Sequence, residues 1–443
     1  SDDLTMSNVI RGVGTFRKAG SNNLTLTNNS LVSAFGISGG KLIVQNNTPP
    51  VSGNSFSGAG TLEIVSAGTT FSSAFSTSGI TFGSDLGGLT IGKSTNAVGI
   101  TLPSAISIAG PISVTGSSVA VNANLSTTGA GNGISLKATG GITQAASTTT
   151  LTNGGDITYW SNSAVDSLTS TAVGGIYLND NVMLDSRRSA DRSAGNISTA
   201  TSGGTITLGG GSATTTTALG STVPSGYALN LSGAPSMAGL MLGTYGGGHN
   251  AGIKIYSGGG NASISGRSTL NDGTLTIGIA LFEGLTIDTG VNGNLSLRGI
   301  AAGHSVSTGI DFQSWRAGTT SASASLFRTS GTGNISVIGS NTTTGSAVQA
   351  YNTASADVTF AATGTGSITV AGTSAAGGTY DVIFTNTNFL SSSGDISLNG
   401  NRSGSYLQFS GTANTFGSKP GSLVTSSSSN ITFTADNYTS SIA

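Results

Sequence analysis

The chain has 443 residues, of which only 7% are charged against roughly 25% in an average soluble domain, while glycine alone fills 70 positions. An apolar fraction of 36% spread from end to end excludes a disordered polar chain, and 16 basic against 17 acidic residues leave no electrostatic footprint for nucleic acid. Cysteine is absent, which excludes a disulfide framework and any thiolate metal site and suits a chain that crosses an envelope unfolded into an oxidising space.

No run of 18 apolar residues and no long basic run is present, so membrane insertion by this segment is not expected. Ser1, Asp2 and Asp3 stand where an initiator methionine or a signal region would be, and the chain therefore reads as a mature or internal piece of a longer polypeptide.

One short phrase organises the rest: Gly, a small turn-forming residue, an apolar residue, Ser or Thr, and a second apolar residue. Copies start at Gly60, Gly155, Gly204, Gly260, Gly273, Gly293, Gly333, Gly366 and Gly394, with a Ser-headed copy at Ser429. The second position holds Thr61, Asp156, Thr205, Asn261, Thr274, Asn294, Asn334, Ser367, Asp395 or Asn430, residues whose side chains bond nearby backbone at turns. Apolar residues then alternate with Ser or Thr, as in Ile335, Ser336 and Val337, which is the period of a strand with one buried face. Helical spacing is nowhere sustained.

A second strand is predicted upstream of several copies, at Ile253 and Ile255, Leu285 and Ile287, Val358 and Phe360, and Val382 and Phe384. Two strands with their turns are thus the expected unit. Steps of 33, 40, 33, 28 and 35 residues separate the copies from Gly260 to Ser429, as in solenoid coils with variable loops. A sandwich closes after seven to nine strands, whereas this pattern runs the whole chain; only Pro49 and Pro50 mark a break, with an irregularity expected over 46–58. The predicted fold is all-β, a right-handed parallel β-helix over 1–443 as one continuous segment. About 25 to 35 residues per coil give on the order of 13 to 17 coils and a rod roughly 60 to 85 Å long.

Residues that carry chemistry are sparse. Asp180, Asp185, Arg187, Arg188, Asp191 and Arg192, with Tyr177 upstream, are the densest charge and the one candidate for the outward carboxylate cluster of a polysaccharide-cleaving solenoid; they read as a solvated loop with local ion pairs. His304, Asp311 and Arg316 beside Trp315 lack a nucleophile elbow, and His249, next to Gly246, Gly247 and Gly248, lacks a partner at metal-ligand spacing. The runs Gly209–Gly211 and Gly258–Gly260 have no lysine in the phosphate-loop position and read as solenoid corners. Sequons at Asn196, Asn230, Asn261, Asn294, Asn334 and Asn430 read mostly as a by-product of the phrase. Tyr159 and Trp160 are a candidate sugar-stacking pair, although alternation turns one of them inward. No catalytic, cofactor-binding or metal-ligating residue is assigned.

The phrases G-G-D-I-T-Y-W from Gly154, G-G-I-Y-L-N-D-N-V from Gly174, G-G-T-I-T-L-G-G-G from Gly203 and G-T-G-N-I-S-V from Gly331 resemble the passenger repeats of filamentous-haemagglutinin-like exoproteins. The resemblance implies a β-helical surface adhesin of a Gram-negative bacterium, exported by two-partner secretion or as an autotransporter. No counterpart of that family's secretion domain or membrane barrel is seen, so an internal shaft region is expected. The expected partners are flanking coils of the same chain or further copies end to end, surface glycans or proteins of a host or of bacteria, and an outer-membrane transporter during export. A self-associating subunit of a filament, sheath or surface layer is the alternative, with a polysaccharide-degrading enzyme third.

Overall fold

The computed structural model describes residues 3–12, 14–28, 32–47, 53–231, 238–244, 251–270, 275–303, 307–313, 323–351, 357–378, 380–402, 404–410, 415–417 and 430–440. The chain is a parallel β-solenoid whose sheets run along its length. Each circuit visits three walls. Leu295–Ala301 lies in the first, Ser307–Gln313 in the second and Ser325–Ser330 in the third, and Ile335–Asn341 returns to the first. The two-strand unit expected from sequence is therefore short by one strand. Val358–Ala362 belongs to the third wall and Val382–Thr385 to the second, so the paired strands upstream of the phrases come from different walls.

Among the described residues the first wall holds fifteen rungs in continuous register. Their leading inward residues are Leu4, Leu24, Leu42, Leu62, Leu89, Ile112, Ile134, Ile157, Ile206, Ala262, Leu295, Ile335, Ile368, Ile396 and Ile431. Every phrase copy feeds this wall except Gly273, which lies outside the described residues and precedes Thr276–Phe282 of the second wall. The phrase encodes a turn and an inward-facing strand; it does not encode which wall receives it. From Ala262 the rungs are 33, 40, 33, 28 and 35 residues apart, as the phrase predicts, whereas the early rungs are only 18 to 27 apart and the two steps from Ile157 to Ala262 take 49 and 56. Fourteen steps at the parallel-strand spacing make a stack of about 65–70 Å.

The early coils are thinner because they have two walls. Thr15–Lys18, Ala34–Ile37, Ser55–Ser57 and Thr81–Phe82 form a small fourth sheet opposite the first, and the second wall opens only at Phe75–Ser76. Residues 48–52, with Pro49 and Pro50, lie outside the described residues; Ser55–Ser57 of the expected irregular stretch is a regular strand.

Stacking explains the phrase's glycine. A Cβ on Gly204 would lie 2.3 Å from the Gly155 carbonyl carbon, on Gly260 2.2 Å from Gly204 O, on Gly293 2.2 Å from Gly260 O and on Gly333 2.3 Å from Gly293 O. Each glycine sits directly on the last, and a side chain would wedge the rungs apart.

The second phrase position also acts between rungs, not within its own turn. Asn261 Oδ1 accepts the Asn294 main-chain N–H at 2.9 Å, Asn294 Oδ1 that of Asn334 at 2.9 Å, Asn334 Oδ1 that of Ser367 at 2.8 Å, and Asp395 Oδ1 that of Asn430 at 3.1 Å. Inside, like stacks on like. Phe35 and Phe56 stack with centroids 5.0 Å apart in the fourth sheet, and Phe327, Phe360, Phe389 and Phe416 form a file in the third wall at 5.1, 5.3 and 5.4 Å.

Gly333→Ala is expected to lower stability by about 1–3 kcal/mol through overpacking between rungs. Gly68→Ala, where the nearest atom to the new Cβ is Asn47 Oδ1 at 3.7 Å, is expected to stay within about 0.5 kcal/mol. Urea unfolding of the two variants checks the difference.

Candidate functional site

The charged cluster lies on the outer side of the third wall, on the rungs where the coil lengthens. Leu184, Ile255, Ile287 and Phe327 point inward there, so the alternate positions Asp185, Tyr256, Asp288 and Arg328 form one outward file across four rungs. The expected solvated loop is not what forms. Asp185 and Asp288 have fully buried side chains, because residues 186–203, including the short helix Ser189–Ser193, fold across the file.

Within this cover Arg187 holds Asp185 in a two-pronged pair, Nε to Oδ1 at 3.0 Å and Nη2 to Oδ2 at 2.6 Å, while its main-chain N–H also donates to Oδ1. Its guanidinium lies 4.7 Å over the Tyr256 ring. Arg192 donates to Thr152 O at 2.6 Å and stands 3.7 Å from Asp185. One rung pair further on, Arg328 closes on Asp288 Oδ2, and Gly290 N–H donates to Oδ1 at 2.8 Å. Both carboxylates accept from several donors and are turned from solvent; Asp185 clamps the loop to the wall through Arg187, whereas Asp288 is held within the wall by Arg328 and the Gly290 N–H.

The other members of the sequence cluster go elsewhere. Asp180 accepts the Thr244 N–H at 2.8 Å at a different corner, where Tyr177 donates to the Thr244 hydroxyl; Arg188 is exposed, and Asp191 accepts from Asn196 Nδ2. Asp311 lies buried in the second wall between Ala280 and Gln349. His304, Trp315, Arg316, His249 and Gly246–Gly248 lie outside the described residues. Among the described residues no group of three His, Asp or Glu gathers at metal-ligand distance. No helix of the described residues is long and apolar enough to cross a membrane.

The first wall carries a second elaboration. Its strand Ile206–Thr216 parts from the following rung after Leu208 and from the preceding one after Gly210, then pairs antiparallel with Thr222–Gly226, after which Ala228–Leu229 rejoins the same rung beside Gly266 and Arg267. Gly209–Gly211 is thus the root of a hairpin and not a corner, while Gly258 and Gly259, with φ of +56° and +101°, do turn a corner. The hairpin covers Thr158 and Thr207 on the outer face, and Thr217 Oγ1 donates to Asp156 Oδ2 at 2.6 Å. The Thr-rich run 214–217 ending in Leu-Gly-Ser was the available signal for this hairpin.

Tyr159 and Trp160 are not an exposed pair. Tyr159 is in the core; Trp160 faces outward but is 7% exposed, donating to Gly211 O at 2.7 Å with Lys137 Nζ 3.8 Å over its ring. Arg298 similarly covers Tyr227 and donates to its hydroxyl at 2.8 Å, and Arg267 anchors the loop after Asn162 through Ser170 O at 2.8 Å. Hairpin and loop leave Leu168, Val173 and Leu219 more than half exposed. The rungs from Ile157 to Leu295 therefore carry a lateral module on an otherwise plain shaft. A separate open cavity of about 320 Å³ lies beside Arg17, Lys18 and Asn22, with the Lys18 ammonium donating to the carbonyls of Ala19, Gly20 and Gly39.

Of the sequons, Asn261, Asn294, Asn334 and Asn430 are members of the ladder between rungs, Asn230 is buried, and Asn196 lies in the loop over the charged file. No family model, curated protein or solved structure matches the chain.

Asp185→Ala leaves Arg187 buried without its counter-ion and is expected to cost about 3–5 kcal/mol. Hydrogen exchange should show residues 186–203 losing protection before the walls do. Burial pushes the ionisation of Tyr159 and Tyr256 above the ordinary tyrosine range, opposed at Tyr159 by its bond to Thr150 and at Tyr256 by Arg187. Up to about pH 10, where an unfolded tyrosine ionises, both states stay neutral; above it the unfolded chain releases protons that the folded chain retains, so stability falls. Ultraviolet titration should find these two among the nine tyrosines ionising last, together with unfolding.

Proposed function

We propose that this chain is the shaft of a secreted bacterial surface adhesin or extracellular fibre, a spacer that holds an attachment surface away from the cell. The observation that carries the reading is the first wall, fifteen rungs in register from Leu4 to Thr434. Such a stack gains its stability from neighbour on neighbour, each rung extending the same core from Leu24 to Phe409, and is built for length. The absence of cysteine fits passage through an export channel unfolded, with coiling afterwards outside the cell. The likeness of the Gly-headed phrases to filamentous-haemagglutinin-like passengers supports the same reading and an outer-membrane transporter as the export partner. Flanking coils then continue the stack, and surface glycans or proteins are the partners in attachment. The lateral module is the part of the shaft suited to touch them, since it presents Leu168, Val173 and Leu219 to solvent.

Electron microscopy of the purified chain should show rods about 65–70 Å long and clearly narrower than they are long. Round particles would overturn the shaft. Beads coated with the chain should attach to bacterial or epithelial cells, and attachment should fall when Leu168, Val173 and Leu219 are all changed to Ser. Attachment no greater than that of albumin-coated beads would remove the adhesive part of the reading.

A further inference from the structure

One strand of the third wall is inside out by its own composition. Thr149–Asn153 reads T-T-L-T-N, and its only large apolar residue, Leu151, faces outward and is half-buried, while Thr150 and Thr152 face the core at 0% exposure. Burial of apolar surface favours the opposite placement, a one-residue shift that turns Leu151 inward. On the rungs to either side the file that contains Thr150 holds Leu125 and Leu184, both fully buried.

What opposes the shift is a polar node at the same level of the core. The Thr150 hydroxyl lies 2.8 Å from the Tyr159 hydroxyl, which donates to Gln144 Oε1 at 2.5 Å. Gln144 Nε2 donates to the Thr148 hydroxyl at 3.0 Å, and Thr148 donates to Ala145 O at 2.6 Å. The three central residues come from three walls, and each replaces an aliphatic one in its file: Tyr159 stands between Leu136 and Leu208, Gln144 between Val121 and Leu178. Turning Thr150 outward would leave the fully buried Tyr159 hydroxyl oxygen without the donor it has here.

We propose that the Tyr159–Gln144–Thr150 node is a facing lock that holds Thr149–Asn153 with Leu151 outside, and that it thereby positions the lateral loop. The outward face of this strand is where residues 186–203 dock. Leu151 is in register with Asp185, the Thr152 carbonyl accepts Arg192, and Asn153 Oδ1 accepts the Ser189 N–H at 2.9 Å. A core interaction between three walls thus sets the surface on which the charged clamp is assembled. The inference does not rest on the shaft's adhesive role.

The chain has no cysteine, so a single introduced thiol reports facing cleanly. Thr149→Cys shares the outward face with Leu151 and should label readily with a thiol reagent in the native background. In the Tyr159→Phe/Gln144→Leu background the strand should turn over, the labelling rate at position 149 should fall at least tenfold, and residues 186–203 should lose exchange protection. Adding Leu151→Ser to that background removes the apolar pull and should restore labelling. Unchanged labelling in the double variant overturns the proposal. Loss of the β-sheet circular dichroism signal in that variant overturns it too, because the node would then be carrying stability and not facing.

Discussion

Everything in this molecule depends on the distance between one rung and the next, about 4.8 Å in a parallel ladder. At that spacing each residue has its nearest neighbours directly above and below, and the choice at one position constrains the same position along the rod. Glycine at the phrase head follows from it, because Gly204, Gly260, Gly293 and Gly333 each stack against the carbonyl or carbonyl carbon of the glycine before. So does the shortage of charge. Like charges facing each other on adjacent rungs repel, and several of the ionised groups have opposite partners close by: Lys41 reaches Glu63 at 2.9 Å, Arg402 reaches Asp381 at 3.0 Å, and Arg328 follows Asp288. Asparagine escapes the problem by being donor and acceptor at once, so a column of it is self-complementary.

The same constraint decides what can be read from sequence. Rungs repeat their neighbours, so Gly260, Gly293, Gly333, Gly366 and Gly394 announce themselves, and the alternation behind them gives the wall and its inward face. Most of the early rungs, that of Gly60 and Leu62 apart, were hidden because their heads differ. Leu24 follows Asn22 and Asn23, and Ile112 follows Gly110 and Pro111, although both occupy the same file as Ile335. The second and third walls were not told apart because most of their strands carry no head phrase: of the strands expected upstream, those at Ile253, Leu285 and Val358 run into the third wall and that at Val382 into the second. The hydrogen bonds of the Asn ladder were also invisible. A side chain suited to bonding its own turn is equally suited to bonding the next rung, and only the stacking tells the two apart.

The candidate site was legible as composition but not as geometry. Six charged residues between Asp180 and Arg192 suggest a solvated loop, yet Arg187 and Arg192 fold back over the third wall onto Asp185, and Tyr256, the ring under Arg187, arrives from the next rung, far along the chain. Local sequence contains no trace of that convergence. The Tyr159 and Trp160 pair is the converse case. Alternation correctly separates them into one inward and one outward ring, but the cover over Trp160 is made by Gly211 and Lys137, one rung later and one rung earlier.

The same spacing governs how the cross-section changes along the rod. The first coils have two walls and steps of 18 to 20 residues, the last three walls and steps of 28 to 35. A two-walled section laid directly on a three-walled one leaves one wall's hydrogen-bonding edge without a partner, and unpaired strand edges in an apolar contact are costly. The chain makes the change over several rungs instead: the second wall opens at Phe75–Ser76, the fourth sheet ends at Thr81–Phe82 and the third wall opens at Ile106–Ile108.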